Sequence, residues 1–427
     1  MPPTPKIHIL GLGNLGRLFA HALATSPQIP PATIILLFHR SSLVEDWENA
    51  GRRIEIASKD LTSSSSSSNY SVEVVDPNTC ISPRAPNQKP AQNENTLDPE
   101  LDSNSNTDLI ENLIITTKTL HTVRALTPLA HRLNRNSTLL FAQNGMGTIE
   151  EVTTALFSNP STRPRYLAAI TSHGVYSTGP FRSVHAGLAN VTVGPVEPQL
   201  EPSSGSGSGS LSLPNPSFEG NKADTDINPD TGAQQASYLL QSLTSAPLLS
   251  ATSVSASSLK YLQLEKLTMN AILNPLTAIL HIKNGEILNH APVRKLTRLL
   301  VEECSQILLS LPELQSPPSA APTSSSTAQA HQPGEDVMTL EQRFSPTRLG
   351  SLVIEVAQKT AANTSSMLQD VQAGRETEIE YINGYFVRRA REAGVECGNH
   401  ERIVKMVRDG VWIGVGEVEG WFPDVKG

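Results

Sequence analysis

Three polar side chains recur along one apolar stretch of the sequence, "EKLTMNAILNPLTAILHIKNGEIL" (residues 265–288). Lys266, Asn270 and Asn274 are spaced four residues apart, so on an α-helix they share one face. A lysine can polarise a carbonyl group and donate a proton to it, and asparagine amides can hydrogen-bond oxygens without adding charge. Asparagine is a poor helix former, and a solvated face usually mixes Glu, Lys and Gln. The stripe is therefore either an unusual surface or a face turned to a polar ligand.

A second group of polar residues lies in "SSMLQDVQAGRETEIEYING" (residues 365–384). Ser366 precedes a Gly-Arg turn, and Glu378 opens a predicted helix. Caps and surface charges would explain both, because acids are favoured in the first turn of a helix. The alternative is a second polar wall of the site suggested by Lys266.

A glycine-rich loop, "GLGNLG", stands near the N-terminus. It follows a predicted strand and opens a predicted helix, which is the context in which the GxGxxG pattern binds a dinucleotide. The glycines permit a tight turn and close approach of the backbone to a pyrophosphate, and the helix N-terminus supplies N–H donors. The residues expected to hold the cofactor here are Gly11, Gly13, Asn14, Leu15 and Gly16.

The end of the second predicted strand, "LLFHRSS", indicates which dinucleotide is bound. NAD enzymes usually carry an acid there, whereas this chain has Arg40, whose planar fork suits a 2′-phosphate. Arg40 is therefore interpreted as a contact for the 2′-phosphate of NADPH, and the less favoured alternative is an exposed loop arginine with no ligand. Lys118 and Asn144 each follow another strand, at the edge where open α/β sheets bind ligands. A solvated lysine and a turn-forming asparagine are equally consistent with those two positions.

The elements that must position these residues change character along the chain. "KIHIL", "TIILLF", "LIIT" and "STLLFAQ" are short apolar runs that alternate with helical patterns, which is typical of a parallel sheet buried on both faces. From about residue 235 the patterns are helical. The predicted fold is an α/β N-terminal Rossmann-like domain with a mainly parallel sheet, followed by an all-helical C-terminal domain.

Low-complexity stretches set the predicted boundaries. Runs rich in Ser, Pro, Asn and Gly bury too little apolar surface to offset their ordering entropy, so we expect disordered insertions. The predicted divisions are a cofactor-binding domain over 1–197 with an insertion at about 61–110, a flexible linker over 198–233, a helical catalytic domain over 234–400 with an insertion at about 314–340, and a C-terminal tail over 401–427.

Composition restricts the classes of function. The 427 residues carry a formal net charge of −8, which argues against broad nucleic-acid binding. Cys80, Cys304 and Cys397 are widely spaced, so neither a metal site nor a disulfide framework is expected. No run reaches the ~18 apolar residues of a membrane helix, and the first residues resemble neither a signal nor a transit peptide. A cytoplasmic protein is expected, with a mitochondrial location as the alternative.

Taken together, the motifs resemble those of the ketopantoate reductase (2-dehydropantoate 2-reductase) family. The resemblance rests on "GLGNLG", "QNGMGT", "KLTMNAILNPLTAI" with "NGEIL", and "SSMLQDV" with "GRETEIEYING". It covers both halves apart from the insertions and the tail, and the chain's length and insertions are typical of a fungal member. One departure is Leu264, where the family often has Trp two residues before the lysine.

The resemblance implies NADPH-dependent reduction of 2-dehydropantoate to (R)-pantoate, on the route to pantothenate and coenzyme A, with the active site between the two domains. It implies roles for several residues: Lys266 and Glu378 in catalysis; Asn270, Asn274, Asn284 and Ser366 in substrate binding; Arg40, Lys118 and Asn144 in cofactor binding. The expected partners are a small 2-keto acid and, as an open alternative to a monomer, a second copy of the chain, without nucleic acid, membrane or metal.

Two other functions remain open from the sequence. The first is reduction of a different branched 2-keto acid, because pocket shape cannot be read from these motifs. The second is a non-catalytic scaffold or regulator, for example in mitochondrial translation, since fold resemblance does not guarantee chemistry. Loss of the polar residues would favour the scaffold, but Lys266, Asn270, Asn274, Ser366 and Glu378 are all present.

Overall fold

The computed structural model describes residues 4–26, 32–40, 42–75, 108–199, 231–315 and 338–425. It divides the chain into two compact units. The first comprises Met1–Gln143 with Ile149–Ala256, and the second comprises Asn144–Thr148 with Ser257–Gly427. Each unit has its own hydrophobic core.

The first unit is built on an eight-stranded sheet and a four-stranded sheet. The strands are β1 (Lys6–Leu10), β2 (Thr33–Phe38), β3 (Ile54–Ser58), β4 (Ser64–Ser67), β5 (Ser71–Val74), β6 (Asn112–Ile115), β7 (Thr138–Phe141), β8 (Arg165–Thr171), β9 (Gly174–Gly179), β10 (Arg182–Gly187), β11 (Val191–Pro195) and β12 (Ala251–Ser253). The large sheet runs β12-β11-β8-β7-β6-β1-β2-β5, and all its pairs are parallel except β8 with β11. The predicted mainly parallel sheet is confirmed.

Among the described residues, the α-helices that accompany these sheets are α1 (Asn14–Thr25), α2 (Ser42–Asn49), α3 (Thr122–Leu126), α4 (Thr148–Leu156) and α5 (Thr231–Thr244). On β1 the residues Ile7 and Ile9 point to one face, where they join the core that also contains Leu18 and Phe19 of α1. The alternation of side chains along a strand places His8 on the opposite face. The central strands are thus buried on both sides, as their continuous apolar runs predict.

The serine-rich stretch after residue 60 is partly ordered, so the predicted insertion at about 61–110 begins too early. The hydroxyls of Ser65 and Ser67 hydrogen-bond the buried ring of His21 at 3.1 and 2.7 Å, and Tyr70 packs edge-on against Trp47. Serine runs look disordered by composition, but here strand pairing and a buried histidine satisfy their polar groups. Residues 76–107 lie outside the described part of the chain.

The second unit is helical, as predicted. Its helices are α6 (Ala256–Leu280), α7 (Ala291–Leu309), α8 (Pro312–Gln315), α9 (Leu340–Arg343), α10 (Pro346–Lys359), α11 (Ser366–Gln372), α12 (Ile379–Ala393), α13 (Gly398–Arg408) and α14 (Val418–Trp421). The long helix α6 is apolar around most of its circumference and runs through this core. Leu264, where the family often has Trp, is fully buried there.

Two predicted boundaries differ from the structure. The helical domain does not begin at 234, because α5 and β12 belong to the first unit and the second unit resumes at Ser257. The segment 401–427 is not a separate tail, since most of α13 lies in it and Ile413, Val418 and Phe422 are buried in the core. Those apolar residues are too widely spaced to signal packing from sequence. The predicted linker and the 314–340 insertion fall mostly outside the described residues.

Within the described ranges, no helix combines the length and apolar character needed to cross a membrane. The same residues contain no group of three or more His, Cys, Asp or Glu side chains arranged to hold a metal ion.

Candidate active site

The glycine loop of the first unit connects β1 to α1 in the predicted order. Gly11 has φ of +95°, and a side chain there would come within 2.6 Å of the Thr117 backbone. A Cβ on Gly16 would lie 1.9 Å from the Gly11 carbonyl oxygen, which itself accepts a hydrogen bond from the Thr116 hydroxyl at 2.5 Å. A Cβ on Gly13 would meet no other atom within 4 Å. The loop is therefore closely packed at Gly11 and Gly16 and open at Gly13.

Arg17, the residue after the loop, fixes the loop to the small sheet. Its Nε donates to the Leu12 carbonyl at 2.9 Å, and one terminal nitrogen donates to the carbonyls of Gly179 and Arg182 at 3.0 and 3.1 Å. Its guanidinium also lies 5.6 Å from the centre of the Phe181 ring. Sequence reasoning did not identify Arg17, although its position directly after Gly16 was the available signal.

A positively charged group lies beyond the C-terminal end of β2. Arg40 is exposed there, and Arg124 on α3 is exposed as well. Partial burial, followed by the nearby charges of Arg40, Arg124 and His121, lowers the pKa of His39. The sequence had indicated only Arg40; Arg124 and His121 come from a helix after β6, and only the strand order reveals their proximity. Lys118 is half-buried at the start of that segment.

The candidate catalytic lysine belongs to the second unit. Lys266 Nζ donates a hydrogen bond to Asn144 Oδ1 at 3.2 Å. Asn144 lies in the short segment 144–148, which is held in this unit by a hydrogen bond from the Met146 N–H to the Tyr381 carbonyl at 2.8 Å. Gly145 has φ of +84°, and a Cβ on it would come within 2.6 Å of the same carbonyl. Only glycine allows this approach, which aims Asn144 at the lysine.

Burial and a neighbouring carboxylate set the proton affinity of Lys266. Removal from water lowers its pKa to about 8, and the negative charge of Glu378 partly opposes that shift. Glu378 is buried at the N-cap position of α12. The structure thus brings together three residues that the sequence had indicated separately: Lys266, Asn144 and Glu378. A lysine with a pKa near 8 can give up a proton at neutral pH far more readily than an exposed one.

The two asparagines lie on α6 as the spacing predicts. Asn270 is half-buried and Asn274 is buried, and neither side-chain amide hydrogen-bonds to a described residue. Just beyond them, the Thr277 hydroxyl donates to Ser365 Oγ at 2.7 Å, which connects α6 to the N-terminus of α11. The amides of Asn270 and Asn274 therefore remain available to a ligand.

Asn284 and Ser366 have different surroundings. Asn284 is buried, and its amide nitrogen donates to the Thr360 hydroxyl at 2.9 Å while its backbone N–H donates to Asn363. This pairs the segment after α6 with the end of α10, a structural role. Ser366 is exposed at the first position of α11, whereas its neighbour Ser365 caps that helix. Substrate contact by Asn284 and Ser366 stays a prediction.

A glycine-loop α/β unit joined to a helical unit that carries a half-buried lysine defines an oxidoreductase of a recognisable kind. The family model "Ketopantoate reductase PanE/ApbA" matches residues 7–198, and "Ketopantoate reductase PanE/ApbA C terminal" matches residues 258–410. The chain belongs to this family, so the resemblance predicted from the sequence is confirmed.

Relatives agree with that assignment, and a solved structure shares the fold. The chain is 30% identical to a probable 2-dehydropantoate 2-reductase of Schizosaccharomyces pombe, over 92% of each chain. It is also 30% identical to ketoisovalerate reductase BEA2 of Gibberella fujikuroi, over 90% of this chain and 77% of that protein. A D-mandelate dehydrogenase solved with NADH and anilino(oxo)acetate has the same fold, with a TM-score of 0.62 at 15% identity, over 97% of this chain and 99% of that one.

Proposed function

We propose that this protein reduces 2-dehydropantoate to pantoate with NADPH. The observation that carries the proposal is the half-buried Lys266, with a pKa near 8, a hydrogen bond to Asn144 and a carboxylate, Glu378, nearby. Two unoccupied amides, Asn270 and Asn274, follow on the same helix. A solvated structural lysine would need none of this arrangement.

The cofactor is assigned from the first unit. The open space at Gly13 and the donors at the start of α1 suit a pyrophosphate, because the backbone can approach it closely there. The charges of Arg40 and Arg124 suit the 2′-phosphate that distinguishes NADPH from NADH. Lys118, at the edge of the same sheet, is assigned to the cofactor as well. When bound, NADPH supplies the hydride.

Reduction of a keto group also needs a proton at the carbonyl oxygen. Lys266 is the proposed donor, held in place through Asn144 Oδ1. Once it has donated, the neutral lysine is tolerated because burial favours the uncharged form. Asn270 and Asn274 hydrogen-bond the substrate oxygens, and Ser366 binds the carboxylate. Glu378 stabilises protonated Lys266 and accepts a hydrogen bond from a substrate hydroxyl.

A second candidate substrate is 2-ketoisovalerate, favoured by the similarity to the fungal ketoisovalerate reductase. The two acids share a branched carbon beside the keto group, but only in 2-dehydropantoate does that carbon carry a hydroxymethyl group. The buried amide of Asn274 favours the acid that carries the hydroxyl. A site built to bond a hydroxyl discriminates strongly against the analogue that lacks it, because its polar groups are left unpaired.

The deciding experiment is NADPH oxidation by the purified chain with a panel of 2-keto acids. We expect the highest kcat/KM with 2-dehydropantoate, a lower one with 2-ketoisovalerate, and a preference for NADPH over NADH. A higher kcat/KM with 2-ketoisovalerate would replace the first substrate by the second. No oxidation with any 2-keto acid would refute the reductase and favour the scaffold.

A further inference from the structure

A proline interrupts the helix that carries the candidate site. Pro275 lies inside α6, directly after Asn274. In a regular helix, residue 275 would donate its backbone N–H to the carbonyl of residue 271, but proline has no N–H. The carbonyl of Ala271 therefore needs another donor, since Ala271 is fully buried.

Asn383 supplies that donor from another helix. Its Nδ2 lies 2.7 Å from the Ala271 carbonyl oxygen, and Asn383, on α12, is fully buried. The second hydrogen of the same amide points to His400 Nδ1 at 3.0 Å. His400 Nε2 lies 3.2 Å from the Leu300 carbonyl, which can only accept, so Nε2 carries the proton and Nδ1 accepts. Both partners of Asn383 are acceptors, which fixes the orientation of its amide.

We propose that Asn383 is a positioning residue for the reductase reaction: its bond to Ala271 sets the part of α6 that presents Asn270 and Asn274. Ala271 directly follows Asn270 and lies three residues before Asn274, so a shift at its carbonyl moves both amides. This inference rests on the proposed function. It adds a role for a residue that touches neither substrate nor cofactor.

The position of Asn383 on α12 strengthens the inference. Glu378, whose charge acts on Lys266, is the N-cap of the same helix, and the first turn contains Tyr381, whose carbonyl holds the Asn144 segment. One helix thus fixes the surroundings of the lysine and, through Asn383, the asparagine stripe.

A role in packing alone does not account for Asn383. It lies among apolar residues of the core, including Phe386, whose ring stacks on His400. Its Oδ1 is buried, and no described residue donates to it. Leucine has a similar volume and would leave no unpaired oxygen in such a place. The amide is useful because it replaces the donor that Pro275 lacks.

The test uses the full chain and the variant Asn383→Leu. We expect kcat to fall by about 10- to 100-fold, the scale of a small misplacement of reacting groups, while the Kd for NADPH changes less than about twofold. Asn399→Leu is the matched control. Asn399, at the start of α13, is also a buried asparagine, but its amide donates to Glu303 on α7. Its Tm is expected to fall with kcat unchanged. Wild-type kcat in Asn383→Leu overturns the proposal.

Adding Pro275→Ala to Asn383→Leu provides a rescue. Alanine restores the N–H that reaches the Ala271 carbonyl, so we expect kcat to recover by at least about fivefold relative to Asn383→Leu, within the range lost through misplacement. No recovery overturns the compensation on which the inference depends. If Asn383→Leu does not fold, Asn383→Asp replaces it: the shape is kept, but an acceptor oxygen faces the Ala271 carbonyl, and the same loss of kcat is expected.

Amide hydrogen exchange separates this inference from the proposed function. In Asn383→Leu, faster exchange is expected in α6 after residue 270 and a return toward wild type in the double variant. Wild-type exchange in α6 of Asn383→Leu overturns the proposal whatever the activity. A wild-type chain that reduces no 2-keto acid refutes the proposed function, while the exchange result still decides whether Asn383 holds α6.

Discussion

Partial burial makes Lys266 a stronger acid than a surface lysine, and the reductase activity should depend on pH accordingly. A proton donor must be protonated, so with a pKa near 8 the reductase rate should fall as the pH rises above 8. Steady-state kcat between pH 6 and 10, at saturating NADPH, measures this.

Lys266→Ala should lower kcat by about 10²- to 10⁴-fold, and Lys266→Arg should restore little because a guanidinium keeps its proton. Lys283→Ala, at an exposed lysine just beyond α6, is the control. Full activity in Lys266→Ala would contradict both the mechanism and the site.

The residues around His39 should decide which cofactor is used. Arg40→Ala should weaken NADPH by about 1.5–3 kcal/mol, the scale of a charge-assisted hydrogen bond, and leave NADH almost unchanged. Arg124→Ala should act in the same direction with a smaller effect, since Arg40 still supplies a positive charge there. Binding titrations with both cofactors measure the difference. Arg298→Ala removes an exposed arginine from α7 and should change neither affinity. Equal losses for NADPH and NADH in Arg40→Ala would refute the assignment.

Among elements, the loop between β1 and α1 allows its folding and its binding roles to be separated. Gly16→Ala should lower the Tm and weaken NADPH together, because its Cβ would overlap the Gly11 carbonyl at 1.9 Å. In Gly13→Ala the added Cβ would meet open space, and the backbone φ of −71° suits alanine. The free energy of unfolding of this variant should therefore stay level or rise by up to about 1 kcal/mol. Its NADPH affinity should nevertheless fall by at least about tenfold, since the pyrophosphate needs that space. Thermal melts with cofactor titrations test this, and unchanged affinity in Gly13→Ala would mean that the cofactor does not lie there.

Periodicity and turn chemistry predict elements better than they predict contacts between elements. The stripe on α6 and the glycine loop could be read from local spacing, and both are found where expected. Arg124 and Asn383 could not be identified, because each acts on residues that are distant in sequence. Composition wrongly predicted disorder at Ser64–Ser67, because the hydroxyls of Ser65 and Ser67 bond His21 on α1, which is distant in sequence.

For the whole molecule, buried histidines should make the fold sensitive to acid. Burial lowers the pKa of His8 and of His21 to about 4, and lowers that of His400 as well. Each takes up a proton more readily in the unfolded chain, so the contribution of these histidines to the free energy of unfolding should be level above pH 7 and fall between pH 6.5 and about 4. His8 and His21 should each account for ~3 kcal/mol of that loss, at about 1.4 kcal/mol per tenfold difference in proton affinity.

Urea unfolding at several pH values from 7 to 4.5 measures this loss. His8→Leu should flatten the curve for the first unit, and His131→Ala, at an exposed histidine, should leave it unchanged. Stability that is constant down to pH 4.5 would show that these histidines are not held neutral by the fold.

The segment Asn144–Thr148 has a consequence for exchange between relatives. It follows β7 in the sequence, yet its contacts assign it to the unit that otherwise starts at Ser257. A single genetic crossover near residue 256 would combine the "NGMG" of one parent with the α12 of another. Gly145 must then fit against a foreign carbonyl at position 381, and Asn144 must still meet Lys266. Functional chimaeras should therefore take Asn144–Thr148 and the region from Ser257 onward from the same parent, although the two pieces are separated in the gene.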